Sequence, residues 1–166
     1  MPEPTKRDSL APAQFVSGWL YGVTNKDKRD YILSCYTVND DLTNTLYEAM
    51  EAYIDGDQKT GDDKMGKTKD FYSDALKKCD DVSDDMKNID EKAQALVKRD
   101  DWKDVAAKIY KENKSVIDRD VDLELREWKQ KVFFNSGMFA GQVEEIFISN
   151  APAPKMRSTF NYYAPF

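Results

Sequence analysis

Apolar residues recur at helical spacing along most of the chain. Phe15, Val16, Trp19, Leu20 and Val23 predict a first helix, opened by Pro12, whose missing N–H costs nothing in a first turn. Tyr31, Ile32, Cys35 and Tyr36 mark a short second helix, capped by Asn25 or Asp27. Asp40 caps a third, which carries Leu42, Leu46, Ala49, Met50 and Tyr53 on one face and has Gly56 just past its end. A fourth runs through Met65, Thr68, Tyr72, Ala75, Leu76 and Cys79. A fifth shows Val82, Met86, Ile89, Ala93, Leu96 and Val97, with Ser83 as a cap. The sixth is long: Trp102, Val105, Ala106, Ile109, Val116, Ile117, Leu123 or Glu124, and Trp128. The spacing breaks over 132–137, and a last helix carries Phe139, Val143, Ile146 and Phe147. Gly56, Gly61 and Gly66 weaken a helix over 55–66.

No run alternates apolar and polar residues with β-branched enrichment, so the sequence predicts an all-α core. Short loops favour antiparallel neighbours. The expected architecture is an up-and-down bundle of about five to seven helices over 12–149, with extended arms at 1–11 and 150–166. Gly18 and Gly22 lie four apart and form a flat strip where another helix can approach. Gly137 and Gly141 share one side of the last helix. All four are assigned to helix packing.

Composition narrows the chemistry. The 166 residues carry a net charge of -6 and no histidine. An acidic balance argues against a nucleic-acid partner, because phosphate binding needs a basic surface. Lack of histidine removes the commonest general base and the commonest metal ligand. The aspartate pairs, such as Asp80-Asp81 and Asp84-Asp85, suit helix starts and solvated faces. Asp55-Gly56-Asp57 and Asp118, Asp120, Asp122 resemble the opening of a calcium loop. Gly66 and Lys129 stand where its final glutamate belongs, so neither completes the loop. Asn113-Lys114-Ser115 is a glycosylation sequon that falls inside the predicted long helix, where it reads as chance. No nucleophile elbow or phosphate-binding glycine loop is present. No catalytic residue, metal or cofactor is assigned, and no segment reaches the roughly 18 apolar residues of a membrane span.

The two cysteines, Cys35 and Cys79, leave three states open: a disulfide joining two helices, two buried thiols, or a reactive nucleophile. The C-terminal arm changes character. Ala151-Pro152-Ala153-Pro154 stops the last helix. Lys155 and Arg157 follow, then Phe160, Tyr162, Tyr163 and Phe166. Such a tail is costly to leave in water. Its prolines and aromatic anchors favour docking on a partner over packing back on its own bundle.

Phe15-Val16-Ser17-Gly18-Trp19-Leu20-Tyr21-Gly22, the pair Cys35 and Cys79, and Trp128 with Phe133-Phe134-Asn135-Ser136-Gly137-Met138-Phe139-Ala140-Gly141 together resemble a family of small ciliate proteins. These share an FxxGxLxG opening, two cysteines and a late aromatic–glycine helix hairpin. The resemblance covers about residues 15–148. It implies an all-helical, signal-bearing protein of undefined function with a Cys35–Cys79 disulfide. The chain departs from the pattern by opening on a polar arm instead of an apolar leader, so secretion would require a leader removed before Met1.

The expected function is a non-enzymatic accessory or structural subunit of a larger protein assembly, docked by its arms onto other protein subunits. Lys155, Arg157, Phe160, Tyr162, Tyr163 and Phe166 are the expected anchors. A lineage-specific subunit of a mitochondrial respiratory complex on the intermembrane-space side fits a disulfide. A cytoskeletal or axonemal component fits free thiols. The alternative is a carrier of an apolar ligand or lipid, with an interhelical cavity lined by Trp19, Met50, Tyr72 and Trp102.

Overall fold

A computed structural model describes residues 6–152. Among these, the chain is all-helical, with eight α-helices and no strand. They are α1 (Ala11–Thr24), α2 (Arg29–Cys35), α3 (Asp40–Ile54), α4 (Gln58–Ala75), α5 (Asp80–Val97), α6 (Trp102–Glu112), α7 (Lys114–Lys129) and α8 (Phe133–Asn150).

The count exceeds the expected five to seven because the predicted long helix is broken. Asn113 closes α6 and opens α7 with φ -122° and ψ 19°, and its side-chain amide donates to the Ile109 carbonyl at 2.8 Å. Asparagine competes for backbone partners in this way, so it favours helix ends over interiors. The last helix starts earlier than its spacing suggested, at Phe133, directly after a left-handed turn at Lys131. The predicted caps shift as well. Asn39, not Asp40, caps α3, its side chain accepting from the Leu42 amide at 3.1 Å. Cys79, not Ser83, stands at the start of α5, and the Ser83 hydroxyl donates instead to the Asp80 carbonyl. Asp57 caps α4, accepting from the Thr60 amide and hydroxyl, so the glycine-rich stretch is helical from Gln58.

Two apolar clusters form the interior. The first joins Ala13, Val16 and Leu20 of α1 to Ile32, Leu76, Cys79, Val82 and Ile89. The second joins Ala11 and Phe15 of α1 to Leu46, Tyr47, Met50, Trp128 and Phe133. Its aromatic rings meet edge to face: Trp128 lies 4.9 Å from Phe133, 5.0 Å from Tyr47 and 5.9 Å from Phe15. Such pairs are worth about 0.5–1.5 kcal/mol each beyond burial. Helix α1 thus serves both clusters from different faces.

Hairpins α3–α4 and α7–α8 are antiparallel. Tyr53 packs on Gly61, Glu48 pairs with Lys64 at 2.8 Å, and the Ser136 hydroxyl donates to the Glu124 carbonyl at 2.8 Å. Strict alternation through eight helices would set α1 and α8 antiparallel, yet they run parallel. Gly18 meets Phe134 and Met138, and one turn later Gly22 meets Met138 and Gln142.

Candidate functional site

Among the described residues the most extensive helix contact is the crossing of α1 and α8, and four glycines line it. A Cβ on Gly18 would overlap the Phe134 carbonyl oxygen, and one on Gly22 the Met138 carbonyl oxygen. From the other side, a Cβ on Gly137 would overlap the Phe15 carbonyl oxygen, and one on Gly141 that of Trp19. The two backbones therefore touch directly, and only hydrogen fits at each position. Ser17 and Ser136 are buried beside this crossing. Their hydroxyls donate to the Ala13 and Glu124 carbonyls, so neither leaves an unpaired polar group.

Polar groups pin the crossing at its edges. The Trp19 indole N–H donates to Glu144 at 2.6 Å, from α1 to α8. Burial raises the Glu144 carboxyl above its ordinary range, an effect reduced by that hydrogen bond and by Lys69 and increased by Asp90. At the other end the Arg29 guanidinium lies 3.9 Å above the Phe134 ring. On α7, burial alone pushes Glu124 up to about 8. Periodicity offers Glu124 as an alternative to Leu123 on the face of the predicted long helix, but its enclosure and that of Glu144 are not legible there, because enclosure depends on helices distant in sequence.

Cys35 and Cys79 are joined by a disulfide with Cα atoms 5.3 Å apart, tying the end of α2 to the start of α5. Arg7 and Asp8 of the N-terminal arm lie on the protein's own surface. Arg7 donates to Asn44 at 2.9 Å and pairs with Glu48 and Glu51, and the Asp8 amide donates to the Tyr47 hydroxyl. Lys155, Arg157, Phe160, Tyr162, Tyr163 and Phe166 lie outside the described residues.

The four residues expected to line a ligand cavity are dispersed. Met50 is buried in the second cluster, whereas Trp19 and Tyr72 pack against the first. The Tyr72 hydroxyl donates to the Pro12 carbonyl at 2.8 Å, and Trp102 is exposed at the start of α6. Among the described residues, no group of three or more acids or cysteines is placed to hold a metal ion. Nor is any helix there long and apolar enough to cross a membrane. Among the described residues, the crossing joins the first and last helices of the chain. Comparison with protein-family models, with curated proteins and with solved structures finds no match.

Proposed function

We propose that the chain is a non-enzymatic accessory subunit of a larger protein assembly, a rigid spacer held between neighbours by its terminal arms. The observation that carries this reading is the parallel α1–α8 crossing. The N-terminal arm enters at the start of α1 and the C-terminal arm leaves at the end of α8. Because the two helices are parallel and in backbone contact, these points lie at opposite ends of one rigid pair. At 1.5 Å per residue they stand about 30 Å apart. Attachment points at opposite ends of this pair suit a subunit that bridges two surfaces. The basic, aromatic segment after Pro152 supplies hot-spot residue types at one pole, with Lys155 and Arg157 meeting acidic groups on the neighbour.

The disulfide supports an oxidising setting. This favours the respiratory-complex reading on the intermembrane-space side over the cytoskeletal one. The test is truncation after Pro152 in the native host. The truncated chain should fold but migrate free of the assembly on a native gel. Normal co-migration with the assembly would show that the C-terminal arm is not the anchor.

A further inference from the structure

We propose that the Cys35–Cys79 disulfide is a redox-opened latch: its reduction releases α2 and the N-terminal half of α5 while the α1–α8 pair and the second apolar cluster stay closed. The bond joins the last residue of α2 to the residue that precedes α5. Both helices depend on it. Helix α2 has seven residues and buries only Ile32 fully, and a helix that short does not persist unaided. Helix α5 buries Val82, Ile89 and Leu96, one residue every two turns. Apart from the bond, its first two turns are held by Val82 and the partly buried Met86 in the first cluster, and by two polar links at the surface. The Asp81 amide donates to the Tyr31 hydroxyl at 3.0 Å, and Lys26 pairs with Asp85 at 3.1 Å. Exposed links of this kind hold weakly.

The second cluster draws on α1, α3, α7 and α8 and includes no residue of α2 or α5. The backbone contacts at the four glycines of the crossing involve neither helix, and α2 reaches the crossing only at its edge, through Arg29 over the Phe134 ring. Loss of the bond therefore loosens one side of the molecule only. Local opening of this kind follows the boundary of a packed unit.

The two sulfurs differ in access. Cys79 is 1% exposed, whereas Cys35 is half-buried. A thiolate from a small dithiol attacks the Cys35 sulfur, forming a mixed disulfide with it and expelling Cys79 as a thiolate. That leaving group sits at the positive end of α5, where the first-turn N–H groups stabilise it. The second thiol of the reductant then displaces Cys35. The dithiol is oxidised by two electrons to a cyclic disulfide, and its two protons end on Cys35 and Cys79.

The experiment is hydrogen exchange on the full chain before and after dithiothreitol, with free thiols counted in parallel. Once two thiols appear, amides of 29–36 and 79–89 should exchange about tenfold faster or more. Those of 42–53 and 133–150 should be unchanged, and removal of the dithiol with re-oxidation should restore protection. Three results overturn the proposal: a bond that resists saturating dithiol under native conditions, unchanged exchange after two thiols appear, or equal loss of protection in every helix. The double variant Cys35→Ala, Cys79→Ala should show the opened pattern without reductant. If that variant does not fold, the reduced wild-type chain still decides the matter.

Discussion

Lys131 and Gly56 perform the same task with different ease. Each ends a helix in the left-handed region, with φ of 62° and 81° respectively. After α3, the Gly56 amide donates to Tyr53 and the Asp57 amide to Ala52. After α7, the Lys131 amide donates to Trp128 and the Val132 amide to Glu127, both at 2.9 Å. These are paired closing bonds of the Schellman kind. A side chain in this region costs about 1 kcal/mol, so Lys131→Gly should stabilise the protein by about 0.5–1 kcal/mol, read as a rise in the urea midpoint at constant slope. The glycine at 56 is legible in the sequence as a helix stop. The lysine is not, because nothing in its chemistry announces a left-handed backbone. Glu124 gives a second prediction at this scale. Its folded-state pKa of about 8 lies above the ordinary carboxylate range. As pH rises past about 4.5 the unfolded chain ionises first, so stability falls until pH passes about 8 and then levels. Glu124→Gln should remove that loss. The residue keeps part of its surface in water, so the expected gain is only about 1–3 kcal/mol at pH 8. It should vanish near pH 4, and denaturant melts at the two pH values would measure it.

At the scale of the element, two glycines in helix interiors separate packing from propensity. Gly18 is pressed on the Phe134 carbonyl, and that backbone atom cannot rotate away. Gly18→Ala should cost about 3 kcal/mol, because the helices must part to admit a methyl group. Gly66 in α4 has open space where its Cβ would stand. Gly66→Ala should stabilise by about 0.5–1 kcal/mol, since it only removes backbone freedom from the unfolded chain. Thermal melts of the two variants should shift in opposite directions. The spacing of Gly18 with Gly22 and of Gly137 with Gly141 is visible in the sequence as two flat strips. Their meeting, and its parallel sense, is not, since a strip does not specify its partner. The break at Asn113 escaped the periodicity for a related reason. Ile109 and Ile117 are both buried, eight residues apart, and continue one apolar stripe across the junction, so the pattern carries no gap where the backbone turns.

For the whole molecule, the all-helical class follows from periodicity, whereas the division of the interior into two clusters does not. Val16 and Phe15 are adjacent in sequence yet serve different clusters, because a helix turns neighbouring side chains about 100° apart. With the disulfide closed, the clusters share α1 and should unfold together. Calorimetry should show one transition in the oxidised protein and two after reduction, the earlier one belonging to the cluster around Ile32 and Val82.

The α1–α8 contact also bears on how the molecule is made. Gly18 and Phe134 touch although they lie far apart in sequence, so α1 cannot meet its principal partner until α8 has been made. Until α8 emerges, Phe15 lacks Phe133 and the glycine strip of α1 lies open. Folding of this part of the chain therefore waits on a contact of high sequence separation, which slows it. A nascent chain stalled anywhere before α8 would present an uncovered apolar helix to chaperones.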